Sequence, residues 1–491
     1  MNMKLLDNNR TIYFMLIPGF IAGVILILLT QNNYGGGDHF THYYIAHWGW
    51  KHPGVLLSHW GKPVFSILIS PFAQFGINGA RIYNLMMGFS TALIVWKLTL
   101  HLNLKNSALS ILMVLFTPIY FILMFTSLTE VTFSFFLLLS IFLFFKQKYL
   151  VSAIVFSFLP LIRTESIVLF PLFVMAYSLK KQFLSLPLLT LGFWLFSMLG
   201  YAHYHDFWWL ITKLPYTGHA KDVYGSGSLF HFVSSTRINR SILGYPLGIL
   251  FVIGLIISVV QWWKNDRFKI SETFYFLLLI PVSYIVFLSA HSVAWWLGMG
   301  NSVGLYRVMG SVTPLAALTA LVGYNLITEF INKKNKLIGK ISAFSIILSI
   351  SFLGIYSYQH GFKPTKQQKL IKLATAFLIE NNLDEQGLYY FDPYVAFELG
   401  IDPYGKTRCK RLGLNARRSS IEIPDGSIII WDAHYGPNDA RVKLNDLQKR
   451  SSLKTIKVFK PEKPFKVWGG YDYEVHIFMK VENQLKSLQQ I

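Results

Sequence analysis

The 491-residue chain is 53% apolar and 16% aromatic, and only 14% of it is charged. Ordinary soluble domains carry about a quarter charged residues, so a soluble enzyme is excluded, and the recurring apolar stretches are long enough to cross a hydrocarbon core of about 30 Å. The net charge of +21 is concentrated in residues 1–358, which hold 24 Lys and Arg against 9 Asp and Glu; positive loops touching anionic lipid explain this, not nucleic acid, since no basic stripe interleaves with aromatics.

Lys4 and Arg10 precede an apolar run from Ile12 to Leu29 with no small-x-small cleavage site after it, which predicts a retained first span. Basic clusters then recur at Lys97/Lys105, Lys146/Lys148, Lys180/Lys181, Lys264/Arg267/Lys269 and Lys333/Lys334/Lys336/Lys340. If all of these face the cytoplasm, eleven spans follow, at 12–30, 81–100, 107–126, 128–145, 150–162, 165–179, 183–202, 244–263, 272–290, 306–328 and 338–358. The expected fold is a polytopic α-helical membrane protein, residues 1–358, with outward loops at 31–80 and 203–243. Residues 359–491 follow as a small extracytoplasmic α/β domain. This places the amino terminus in the cytoplasm and the chain in a bacterial plasma membrane.

Loop 31–80 carries Gly35-Gly36-Gly37-Asp38 and five of the chain's 14 histidines, at 39, 42, 47, 52 and 59. Its helical pieces are expected to lie along the membrane. Asp38 is either an N-cap or a reacting carboxylate; His42, four residues on, shares its helical face, with His39 beside them. These groups could offer ligands to a divalent metal, but their spacing matches no ligand signature and a metal is not favoured.

Ser127-Leu128-Thr129-Glu130 reads as a capping box opening the fourth span. Lys148 and Lys180 bracket a hairpin with short arms whose turn, with Arg163 and Glu165, belongs inside the outer leaflet; these two residues either pair with each other or leave Arg163 to contact phosphate. Tyr306-Arg307 opens the tenth span, where an arginine either snorkels to headgroups or clamps a phosphate. Of the nine acids, Asp38, Glu130, Glu165, Asp206 and Asp222 fall outside or near the outer leaflet, and an ionisable group at membrane depth is a functional candidate. In the tail a helix is predicted at 366–380, strands at 388–391, 427–431, 455–459 and 473–478, and a short helix near 441–450. Asp392 and Asp432-Ala433-His434 follow strands and read best as turn residues.

The arrangement resembles the GT-C class of membrane glycosyltransferases, which includes protein O-mannosyltransferases and the aminoarabinose transferase of lipid A. The resemblance rests on Asp38 early in the first outward loop, Gly61-Lys62-Pro63 leading to Arg81-Ile82, Thr129-Glu130, Arg163-x-Glu165 and an outward tail. The family often shows two acids together in the first loop, whereas His39 follows Asp38 here, which suits a single-carboxylate mechanism. The resemblance implies transfer of a sugar, with a hexosyl or mannosyl type as the model. The donor is a polyprenyl-phosphate sugar, and the acceptor hydroxyl is on a lipid, glycan or protein. Asp38 is then the catalytic base and Arg163, Arg307 and Lys62 bind donor phosphate, with His39, His42, Glu130, Glu165 and Tyr306 in support. The competing functions are a lipid-linked-saccharide flippase or other transporter, and a scaffold that presents the tail.

Overall fold

The computed structural model describes residues 9–31, 34–215, 225–233, 242–300, 302–358, 364–405, 409–411 and 423–481. Lys4, Asp7, Asp222 and much of the predicted loop 203–243 lie outside the described residues.

A helix or a pair of short helices underlies each predicted span. Helix α1 runs Asn9–Leu29; α2 (Gly37–Trp48) and α3 (Pro63–Ala73) lie in the first loop; α4 is Gly76–His101. With 12 and 11 residues, α2 and α3 rise only about 16–18 Å at 1.5 Å per residue, too little to cross a bilayer. The predicted 107–126 span is interrupted: Pro118, which lacks an N–H, divides it into α5 (Leu109–Leu115) and α6 (Pro118–Leu123). Helix α7 is Glu130–Phe145, and the short hairpin is α8 (Tyr149–Ser157) and α9 (Phe170–Leu179) with two 3₁₀ turns around Arg163. Leu191–Tyr204 forms α10 and Gly244–Asp266 forms α11. The next span is again divided at a proline, into α12 (Glu272–Leu279) and α13 (Pro281–Leu297). Tyr306–Ser311 is a 3₁₀ turn rather than the start of a span, and α14 (Thr313–Lys334) and α15 (Lys336–Ser357) follow it.

Five described segments, beginning at Ile12, Gly244, Glu272, Thr313 and Lys336, are long and apolar enough to cross a membrane. Small residues let two of these helices approach closely: a Cβ on Gly254 would meet the Thr319 carbonyl at 2.1 Å, and one on Gly323 the Leu250 carbonyl at 2.2 Å.

The tail opens with α16 (Lys366–Glu380), capped by Thr365 and Gln368, each bonding the other's backbone N–H. It buries Leu370, Ile371, Ala374 and Leu378 on one face. Strands β1 (Leu388–Tyr390), β2 (Cys409–Arg411), β3 (Ile428–Asp432), β4 (Leu453–Phe459) and β5 (Val475–Lys480) form a mixed sheet in the order β2-β1-β3-β5-β4. The β1 neighbours are both parallel, and β5 pairs antiparallel with β3 and β4. A helix after β1, α17 (Pro393–Glu398), is capped by Asp392.

The tail packs against α2. The Phe40 ring lies 5.0 Å from that of Tyr394 and 4.9 Å from that of Phe397. The Tyr44 hydroxyl donates to the Pro393 carbonyl at 3.0 Å, and Lys51 and His52 both reach Asp402 at 2.9 Å. One face of α2 is thereby committed to the tail, and its amino-terminal turn is held over the helical bundle.

Candidate active site

Asp38 sits in the first turn of α2 behind Gly35 (φ 96°) and Gly36 (φ 55°), left-handed positions that glycine adopts at little cost. The N-cap is Gly36, not Asp38. The Asp38 carboxylate instead pairs with Arg307, which reaches it from the 3₁₀ turn before α14. A Cβ on Gly35 would meet the Arg307 guanidinium at 2.9 Å and Leu128 at 2.6 Å, so the glycine makes room for this ion pair. Arg307 does not project to headgroups: its side chain is 11% exposed, and its Nη1 has no hydrogen-bond partner among the described residues.

Glu130 was expected to close a capping box with Ser127. No side-chain cap forms there. The Ser127 hydroxyl is engaged elsewhere, donating to the His39 carbonyl at 2.6 Å, while the Ser127 backbone N–H donates to His39 Nδ1 at 3.0 Å. Glu130, 2% exposed, is left to pair with Arg163 at 2.8 Å. Arg163 also binds Glu165 at 2.7 Å and donates to the Thr129 hydroxyl at 3.0 Å. The predicted Arg163–Glu165 pair is therefore present, with Glu130 as a third member that local sequence assigned to capping.

Lys62 is buried at the start of α3, with a left-handed backbone (φ 62°) immediately before Pro63. That conformation costs a non-glycine residue roughly 1–3 kcal/mol and persists where the surroundings enforce it, often at functional sites. Its ammonium donates to the Thr164 hydroxyl at 3.4 Å. Burial pushes Lys62 down to about 8, with Glu165 and Asp38 opposing the shift and Arg163 adding to it.

Three acids and three bases from five places in the chain are thus gathered together. Arg307 lies within electrostatic range of Asp38, Glu130 and Arg163, and Lys62 within range of Glu165, Arg163 and Asp38. His42, buried against Phe65, is held neutral near this group: burial pulls it down to about 3, despite the Asp38 charge. Its Nδ1 has no partner among the described residues. His39 fastens α2 to the turn that leads into Glu130. Tyr306 stacks on His231 at 4.7 Å and packs edge-on against Phe232. Asp206 bonds within its own turn, to the Trp208 N–H and the Thr212 hydroxyl.

Sequence reasoning quoted Thr129 only as part of a motif, without its role as the hydroxyl that accepts from Arg163, and missed Thr164, which accepts from Lys62, and His291. This histidine on α13 is within range of Glu165 and Arg163, and its Nε2 is buried with no partner among the described residues. The signal was present, since an ionisable residue inside an apolar span is uncommon. Asp392 and Asp432 behave as the turn residues they were expected to be, accepting from Tyr394 N–H and from His434 and Tyr435 N–H. Among the described residues no group of three or more His, Cys, Asp or Glu side chains is placed to hold a metal.

No family model and no curated protein matches the chain in sequence. Solved structures do match it in fold. ArnT from Cupriavidus metallidurans bound to undecaprenyl phosphate superposes with a TM-score of 0.55 at 10% identity, covering 94% of this chain and 97% of that one. The apo state of ArnT gives 0.54 at 11% identity, over 95% and 98%. An Archaeoglobus fulgidus oligosaccharyltransferase tethered to an acceptor peptide containing the NVT sequon gives 0.50 at 11%, over 85% and 69%. At such low identity the likeness is one of fold. Over most of its length the chain has the fold of the GT-C membrane glycosyltransferases.

Proposed function

We propose that this protein is a membrane glycosyltransferase that moves a sugar from a polyprenyl-phosphate carrier to an acceptor hydroxyl, with inversion at the anomeric carbon, on the extracytoplasmic side. The single observation that supports it is the gathering of Asp38, Glu130, Glu165, Lys62, Arg163 and Arg307 in one partly buried group, within a fold also found in a protein bound to undecaprenyl phosphate. Such a gathering of charge inside an apolar helical bundle is costly unless it is used.

In the reaction the acceptor oxygen attacks the anomeric carbon and Asp38 takes its proton. The bond from that carbon to the phosphate oxygen breaks, and its electron pair leaves with the phosphate. Phosphate departs without being protonated, so one carboxylate suffices where a glycosidase needs two. Arg307, Arg163 and Lys62 offer cations to the phosphate. Glu130 and Glu165 hold Arg163 in place, and the neutral His42 lines the base's surroundings without competing for the proton. A hexosyl donor, mannosyl among them, is the first to test. On this proposal residues 1–358 are the transferase and 359–491 an outward soluble domain.

Asp38→Asn removes the base without changing its shape. Turnover of undecaprenyl phosphate mannose and other hexosyl donors in phospholipid nanodiscs is expected to fall about 10²–10⁴-fold, with donor binding retained. Near wild-type turnover would overturn the assignment. Protease added to intact spheroplasts is expected to remove the tail; protection until lysis would place the chemistry on the other side.

A further inference from the structure

Between the glycine run ahead of Asp38 and the sheet of the tail lies a cavity of about 400 Å³. One wall is the backbone of Gly35–Gly37, and the other walls include Gln367, Asp392, His434, Tyr435 and Phe465. Its volume falls within the range of small-molecule sites, about 300–1,000 Å³.

Three features say what this space is for. The first is its place in the sheet. From β1 the chain moves to β2 on one side and then to β3 on the other, both parallel to β1, so the strand order reverses there. Asp392 and His434 leave the carboxyl ends of β1 and β3, and the crevice at such a reversal is where open α/β sheets take ligands. The second is its nearness to the base: the Gly37 N–H donates to the Tyr435 hydroxyl at 3.0 Å, one residue before Asp38. The third is its chemistry. Ring faces alternate with short polar groups of both kinds: His434 stacks on Tyr435 at 4.4 Å and bonds Gln367 at 3.0 Å, Lys366 lies 5.4 Å over Phe465, and Asp392 has one oxygen engaged by the Tyr394 N–H. Burial pushes Asp392 up to about 6, which leaves it mainly a carboxylate near neutrality, a hydrogen-bond acceptor for a hydroxyl.

We propose that this cavity is the acceptor subsite of the transferase reading above, and that the acceptor it takes is a saccharide. A sugar ring presents apolar C–H faces rimmed by hydroxyls, and aromatic faces alternating with amide, imidazole and carboxyl groups complement that pattern. A peptide would favour an unpaired strand edge, but β1 and β3 each have neighbours on both sides. The walls hold the non-reacting part of the acceptor against the loop that carries Asp38.

The test is a binding measurement that does not depend on transfer. The full chain in phospholipid nanodiscs, free of glycoside detergent, is mixed with methyl mannoside, methyl galactoside, methyl N-acetylglucosaminide and a threonine-containing peptide, and saturation-transfer NMR reads which probes bind. At least one glycoside is expected to give a signal that falls fivefold or more in Phe465→Ala and in Gln367→Ala, while undecaprenyl phosphate binding, measured alongside, is retained as a check on folding. Lys366→Ala, at an exposed position, replaces either variant if it is not recovered. Silence from every glycoside, signals that survive the substitutions, or a peptide signal lost with them would each overturn the proposal. If glycosides bind here but no donor is ever turned over, the transferase reading fails and the saccharide site stands.

Discussion

Arg81 and the Arg163–Arg307 pair are all buried, yet they are satisfied in different ways. Arg81, 2% exposed, donates to the carbonyls of Ile27, Thr30 and Phe125, to the Thr30 hydroxyl and to the Asn78 amide, all between 2.8 and 3.0 Å. Every one of these partners is a neutral oxygen, and most belong to backbone at the ends of α1 and α6. Arg163 and Arg307 are met instead by carboxylates, and one of these, Glu130, keeps an oxygen, Oε2, with no partner among the described residues. A guanidinium saturated by carbonyls fastens helices together and has nothing to exchange. One paired with a carboxylate can give up that partner for a phosphate of the same charge. The burial of an arginine therefore says little about its use; the identity of its partners says more.

The largest expected effect comes from breaking the carboxylate side of this comparison. Arg163→Ala leaves Glu130 buried without its cation, which costs about 3–5 kcal/mol of stability. Thermal unfolding in detergent measures it, and Arg163→Ala combined with Glu130→Gln is expected to recover much of the loss. An Arg163→Ala chain as stable as wild type would remove the case for a mutually dependent cluster.

Next in size is a crossed pair. Arg307→Ala is expected to lower transfer at limiting donor by ten- to a hundredfold, about 1.5–3 kcal/mol, and Arg307→Lys to recover only part of it, since lysine lacks the planar fork. Arg81→Lys is expected to lower stability by a similar amount while folded enzyme keeps the donor dependence of wild type. If Arg81→Lys changed donor dependence and Arg307→Ala did not, the two sites would have been assigned the wrong way round.

The smallest effect concerns pH. Lys62 is lowered to about 8 by burial, so it is charged below that value and neutral above it. A phosphate favours the charged form, so donor affinity is expected to decline as pH rises through 8, by at most about tenfold per unit. A sugar phosphodiester donor does not titrate in this range, and Lys62→Met should flatten the profile. A wild-type profile already flat from pH 7 to 9.5 would leave Lys62 outside the phosphate site.

Much of the architecture was legible because it follows local pattern. Apolar run length located the helices, and the tail helix at Lys366–Glu380 coincides with its periodic stretch. The acids could be singled out because they are scarce. Their pairing could not, because it depends on segments far apart in sequence: Asp38 and Arg307 are 269 residues apart. Ser127-Leu128-Thr129-Glu130 shows the limit well. The local signature favours a cap, but the bond from Ser127 to His39 joins two elements and prevails. The strand Cys409–Arg411 is too short for alternation to register, and helix Pro393–Glu398 follows an X-Pro step that read as a turn.

The aromatic seam between α2 and the tail sets a schedule for biogenesis. Tyr44 and Pro393, which it joins, are 349 residues apart. At about 5–20 residues per second, α2 leaves the ribosome roughly 20–70 s before its partner exists. Throughout that interval Phe40, only 1% exposed once the chain is complete, has neither Tyr394 nor Phe397 to cover it. The nascent chain therefore carries a sticky, unfinished first loop until translation is nearly over, and the packing of α2 against the tail is completed as one of the last events of its own synthesis.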